Sequence, residues 1–322
     1  MSYNRNVTFD IIRAICAVWI IAIWHIGEYG FPLAQNLPMG EDITTAILGI
    51  FVFISSFFVQ KYCIKTMRDI RVFYLKRCIR LYIPFLVVSV LMDILFHWYE
   101  NILQLMLSLI GISFLYSPGV KTLWFVSILL FFYGLTPLIL SFKGKWKRIL
   151  CTVVIITILV FTNYFNEIDS RMIYLCFIYC FGLSINNDTI MRFLKDKYAL
   201  TISILIVGIY VLIYIYNIDI GESKVLRLPL VFALLVLLYN FSNILSKNKM
   251  ASDIFINISY SSMMAYLLHR LIYVLFWHVC HEWPYSGWYF GLMIPVIFIT
   301  SYYVQLNYDR CVVKKLNVLF DL

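Results

Sequence analysis

Apolar runs follow one another from Phe9 to Leu306, broken only by short polar segments. Most have the length that carries a helix across a bilayer, about 17 to 25 residues. The breaks are ordinary connections of a few to about fifteen residues. This pattern predicts one all-α membrane domain over residues 1–322, a polytopic helical bundle of about ten spans. No internal repeat is visible.

The stretch ILQLMLSLIGISFLY, residues 102–116, is apolar but short for a span, and the basic residues decide its place. With Arg5 in the cytoplasm, the first turn faces outward with acids and no Lys or Arg. Lys61, Lys65, Arg68 and Arg71 then fall inside, as the positive-inside rule requires. Counting 102–116 as a span would put Lys143 to Arg148 outside and invert every later loop. Leaving it on the outer surface or re-entrant keeps the alternation to the end, with Arg310, Lys314 and Lys315 inside and both termini cytoplasmic.

Composition agrees with the pattern. The chain is 62% hydrophobic and 13% charged, which excludes an ordinary soluble domain. The opening MSYNRNVTFD lacks the short apolar stretch and cleavage site of a secretory signal, so the first span is expected to remain. The net charge of +9 is dispersed over short loops, where topology and anionic membrane lipid account for it better than nucleic acid does. Eight scattered cysteines without a CxxC indicate neither a disulfide framework nor a zinc knuckle.

Against this apolar background the ionisable residues stand out. Arg13 and His25 lie in the first run, where an intramembrane charge costs roughly 2.5 to 3.5 kcal/mol and is kept mainly to line a cavity or bind something. They are about 18 Å apart along a helix, Arg13 towards the cytoplasmic end and His25 towards the outer end. Snorkelling is the ordinary account of Arg13, and a hydrogen-bonded structural histidine that of His25. The functional account gives Arg13 an anionic ligand and His25 a proton-transfer role. Glu28, three residues on, would either orient the imidazole or sit solvated in the loop.

In FYLKRCIRLYIPF, Arg77 and Arg80 are spaced i, i+3 and are expected to face the same side of a span start, where a guanidinium pair suits phosphate. Topology signalling or lipid headgroups would also explain them. Trp124, in LWF, is expected at the outer interface. His269 and Arg270 lie deep in the ninth span, and Arg270 needs a partner, with Asp93 one candidate. His278, Cys280 and His281 lack a visible fourth ligand, so no metal is expected. There is no Gly-rich phosphate loop, GxSxG or HExxH.

The order of these pieces resembles the membrane acyltransferase family 3: Asp10 with Arg13, then His25, FVFISSFF, FYLKRCIRLYIPF, LWF and YLLH ending at His269. Ser56 stands where the family usually has glycine in FISGF, and no attached extracytoplasmic domain is visible. The resemblance implies an integral membrane O-acyltransferase that takes an acyl group, usually acetyl, from cytoplasmic acyl-CoA to a hydroxyl of a cell-surface or lipid-linked saccharide. It implies catalysis by His25, with Glu28 beside it, and substrate contacts from Arg13, Arg77, Arg80, Asp10, Trp124 and His269. It further implies a multi-pass protein of a bacterial plasma membrane, using no metal and acting alone or with separate glycan-assembly proteins. A transporter or flippase for a polar or lipid-linked glycan is the alternative, since intramembrane Arg and His also line translocation paths. A topology reporter fused after Lys143 is expected to read cytoplasmic; an extracellular signal would overturn the map.

Overall fold

A computed structural model describes residues 6–29, 36–37, 39–62, 64–113, 123–142, 144–166, 170–216, 218, 224–280 and 286–320. Lys121, Lys143 and His281 lie outside them, as do most residues of the outer loops expected after the seventh and ninth spans and part of those after the first and fifth. All described regular structure is helical: α1 (Val7–Val18), α2 (Gly40–Val59), α3 (Met67–Arg77), α4 (Ile83–Phe96), α5 (Ile102–Ile110), α6 (Leu123–Ser141), α7 (Lys145–Asn166), α8 (Ser170–Ser184), α9 (Asn187–Lys195), α10 (Lys197–Ile215), α11 (Leu228–Leu245), α12 (Lys249–Cys280), α13 (Ser286–Tyr308) and α14 (Lys314–Leu319). Seven helical segments are long and apolar enough to cross a membrane. The other three segments expected as spans are helical too, as α7, α8 and α12. The protein is an all-α, multi-pass membrane bundle.

The described residues fall into two compact units, residues 1–54 with 187–305 and residues 55–186 with 306–322. The first is organised around α1, which packs against α11 and α12. Phe9, Ile11, Ile12, Ala14, Cys16, Ile20 and Ile21 are all buried, so α1 is covered on every side, as a central helix must be. Its C-terminal continuation is irregular: a wide π-type turn over Trp19–Trp24 and then a tight 3-10 turn over His25–Tyr29. The irregular backbone is held from outside. The Tyr273 hydroxyl donates to the Ile21 carbonyl at 3.1 Å, and Trp19 Nε1 donates to Thr44 Oγ1 at 2.9 Å. α10, by contrast, leaves Ile202, Ile204, Leu205, Ile209, Leu212 and Ile215 exposed, a surface suited to lipid.

The second unit opens with a capping box, in which Thr66 Oγ1 accepts from the Asp69 amide and the Asp69 carboxylate accepts from the Thr66 amide. α3 runs into α4 through a second π turn, Cys78–Tyr82. Pro84 accounts for it: proline has no N–H for the carbonyl four residues back and its ring crowds that carbonyl, so the preceding turn widens. As with α1, a tyrosine serves a carbonyl of the widened turn, here Tyr308 donating to Ile79. α5 is nine residues long, about 13 Å, against a hydrocarbon core of about 30 Å. Asn101 caps its start and Gly111, at φ 84°, ends it.

Gly111 sits where α5 closes onto α6. Ser127 Oγ donates to the Ser108 carbonyl at 2.9 Å, and a Cβ on residue 111 would stand 3.1 Å from the Ser127 carbonyl oxygen and 3.2 Å from Leu130 Cβ. Gly111→Ala is therefore expected to cost about 1 to 2 kcal/mol from the left-handed backbone alone, with the close approach adding to it. Thermal denaturation in detergent checks this, and an unchanged midpoint would contradict it.

Candidate active site

In a 3-10 turn, residues three apart lie in line. The turn His25–Tyr29 therefore presents His25 and Glu28 on one side, and both meet α12. There the consecutive residues His269 and Arg270 receive them. His25 Nδ1 lies 2.7 Å from His269 Nε2, and the two rings are parallel within 4°. They meet edge to edge through their nitrogens. At that distance the nitrogens are too close to ligate one zinc, whose tetrahedral nitrogen ligands stand roughly 3.3 Å apart; the geometry is that of a hydrogen bond.

His269 is 0% exposed and His25 7%. The other nitrogen of His269, Nδ1, faces the Tyr266 carbonyl at 2.7 Å and the Ala265 carbonyl at 3.2 Å. Tyr273, one turn further along α12, sets its ring at 87° to that of His269. Beside this pair Arg270 donates from both terminal nitrogens to the two carboxylate oxygens of Glu28, each at 2.5 Å. Tyr29 stacks on Phe290, and with Ile21, Ile26, Ala265, Tyr273 and Ile297 these residues make a buried apolar cluster beside the polar groups.

The pairing expected for Arg270 is corrected here. Asp93 does not serve Arg270; it belongs to the second unit, where its carboxylate accepts from the Tyr99 amide, and Glu28 is the partner instead. Glu28, for which the sequence left open orienting the imidazole or a solvated place in the loop, turns both oxygens to Arg270, and His269 meets the imidazole of His25. Tyr29 and Tyr273 were not singled out. The three-residue offset of Glu28 from His25 matches the adjacent His-Arg only once α12 is known to pack there.

Nearer the start of α1, Asp10 Oδ1 accepts from Ser259 Oγ at 3.0 Å, and Arg13 Nη1 lies 3.8 Å from the same oxygen. The Arg13 side chain is a third exposed, as snorkelling or ligand binding requires. In the second unit, Arg77 and Arg80 do not share a face. The π turn between them advances each residue by less than an α-helical turn does and splays the two side chains. Arg77 is half-buried in an aromatic box, its guanidinium 4.8 Å from the Tyr133 ring centre, 5.6 Å from Phe73 and 5.7 Å from Tyr62. Its buried Nε has no hydrogen-bond partner among the described residues. Arg80 is exposed. Trp124 carries the Arg171 guanidinium 3.8 Å above its ring.

His278 Nδ1 faces the Val274 carbonyl, and the side chain of Cys280 lies outside the described residues. Among the described residues no three His, Cys, Asp or Glu side chains group as metal ligands would.

Searches against curated proteins and against solved structures return no match. A family model described as an acyltransferase domain matches residues 6–305, a stretch that takes in the His25–His269 pair and the Arg77 box alike. Matched over nearly its whole length, the chain belongs to acyltransferase family 3 and is a membrane acyltransferase.

Proposed function

We propose that this enzyme takes an acyl group, acetyl in the first place, from acyl-CoA on the cytoplasmic side of a bacterial plasma membrane and delivers it to a hydroxyl of a cell-surface or lipid-linked saccharide. The observation that carries this reading is a buried, hydrogen-bonded histidine on the first helix of a family 3 acyltransferase. Imidazole both accepts protons near neutral pH and attacks acyl carbons, which are the two roles such a transfer needs.

Two routes balance. In the first, His25 removes the proton of the acceptor hydroxyl as its oxygen attacks the thioester carbonyl; the C–S bond breaks, and the proton passes from His25 to the departing thiolate. In the second, a ring nitrogen of His25 attacks the thioester first and the C–S bond breaks; the N–H proton of the acyl-imidazolium so formed goes to the thiolate, and the acyl-imidazole then gives the acyl group to the hydroxyl oxygen as His25 recovers the nitrogen and takes the hydroxyl proton. Both begin with an uncharged imidazole.

The donor carries phosphates, and guanidinium groups recognise them through paired, charge-assisted hydrogen bonds. Arg77 has an unused Nε–H and a cation held in place by three rings, and Arg80 presents an exposed one. We assign these two to the phosphates and, separately, Arg13, set by Asp10, to an anionic group of a substrate. Trp124, whose ring carries the Arg171 guanidinium, is assigned to substrate contact with it. Separate glycan-assembly proteins would supply the acceptor.

His25→Ala is expected to lower transfer of labelled acetyl from acetyl-CoA to membrane saccharide by roughly 10²- to 10⁴-fold, the usual worth of a general base, while the protein still inserts in the membrane. Full activity would sink the catalytic assignment; unmodified saccharide exported without label transfer would favour transport. Arg77→Lys and Arg80→Ala are each expected to raise the KM for acetyl-CoA about tenfold, the scale of one charge-assisted hydrogen bond. The lysine keeps charge and much of the packing while losing the planar fork, and unchanged donor KM in both variants would remove the phosphate assignment.

A further inference from the structure

We propose that His269 is a positioning residue that fixes the tautomer of His25, so that Nε2 of His25 is the atom that accepts the proton or the acyl group. The proposal rests on the reading that His25 is the reacting residue and adds which of its nitrogens reacts and what decides that.

The proton positions follow from the hydrogen-bond partners. Backbone carbonyls only accept, so Nδ1 of His269, facing the Tyr266 and Ala265 carbonyls, carries a hydrogen. A neutral imidazole has one N–H, which leaves Nε2 of His269 as a lone pair. That lone pair lies 2.7 Å from Nδ1 of His25 with the rings parallel, so Nδ1 of His25 is the donor. The one N–H of a neutral His25 is then spent, and its Nε2 is bare. Nε2 makes no hydrogen bond among the described residues. The chain runs from two backbone carbonyls, through His269, to a single basic nitrogen on His25.

The arrangement does what the carboxylate does in a Ser-His-Asp triad: it selects the tautomer and holds the ring. Here the acceptor is itself an imidazole. A carboxylate is close by, but Glu28 faces Arg270 with both oxygens. Without the acceptor at residue 269, His25 is free to place its hydrogen on Nε2 and its lone pair on Nδ1, the wrong nitrogen for an acceptor or thioester arriving at Nε2.

The test uses the full-length protein in lipid. The chain has five histidines, so ¹⁵N-histidine labelling gives a spectrum simple enough to assign with His25→Ala and His269→Gln. In the unliganded protein, His25 is expected with Nδ1 protonated and Nε2 unprotonated; a proton on Nε2 overturns the proposal. For kinetics, His269→Gln supplies an amide oxygen as acceptor and His269→Leu supplies none. The glutamine variant is expected to keep kcat within about tenfold of the native value. The leucine variant is expected to lose roughly 10²- to 10⁴-fold in kcat with KM for acetyl-CoA unchanged, as loss of the correct tautomer does in a triad. Equal kcat for the two variants, or a rise in KM with kcat intact, overturns the positioning role. If the leucine protein fails to fold, the wild-type spectrum still decides. Full activity of His25→Ala would instead remove the reading beneath it, and the spectrum would be unaffected.

Discussion

Polar side chains in a hydrocarbon interior must find one another, and in this protein the contact between α1 and α12 is where that requirement is concentrated. Glu28 with Arg270 and His25 with His269 are two pairs made by neighbouring positions on the same two helices. The Arg270 end of the ion pair is buried and the Glu28 end partly exposed; such a pair adds little net stability once desolvation is counted, but it rejects arrangements that leave the buried charge alone. Sliding α12 by one turn, about 5.4 Å, would break both pairs at once and face Arg270 with apolar side chains. The two pairs thus specify a register that the surrounding apolar residues, interchangeable in their preferences, would leave loose.

Side-chain direction at the functional positions is set by departures from the α-helix. A regular α-helix would put residues three apart 60° out of line; the 3-10 turn at His25–Tyr29 brings His25 and Glu28 into one row, which the consecutive pair on α12 can meet. The π turn at Cys78–Tyr82 does the reverse, separating Arg77 from Arg80 so that one enters an aromatic box and the other stays exposed. Each widened turn disturbs the regular backbone ladder, and tyrosine hydroxyls from distant helices, Tyr273 and Tyr308, donate to carbonyls within it. Such backbone persists in a membrane only where the protein itself supplies the missing partners.

This explains which parts were legible in the sequence. Span-length runs are a local, one-dimensional signal, and the helices lie where the runs do. His25 and Arg270 were legible as oddities because charge and hydrocarbon are immiscible. Their partners were not: pairing Glu28 with Arg270 rather than Asp93 depends on which helices pack together, and 242 residues separate the pair. The spread of Arg77 and Arg80 was missed because an i, i+3 argument assumes 3.6 residues per turn, although Pro84 was there to warn against it. The contact of His269 with His25 was hidden for the same reason: a sequence shows a residue's chemistry but not which atom faces which.

The ion pair also bears on the chemistry. In either transfer route a positive charge forms on His25, within reach of a guanidinium that sits one residue from His269. An unpaired Arg270 would oppose that charge through a medium of low dielectric, where Coulomb terms are several times their value in water. With both Glu28 oxygens bound to it, the guanidinium contributes a short dipole rather than a net charge, and the field at the imidazole falls off faster with distance. Register and reactivity then come from the same contact: the pair that fixes α12 against α1 is also what lets a neighbouring imidazole take up a proton.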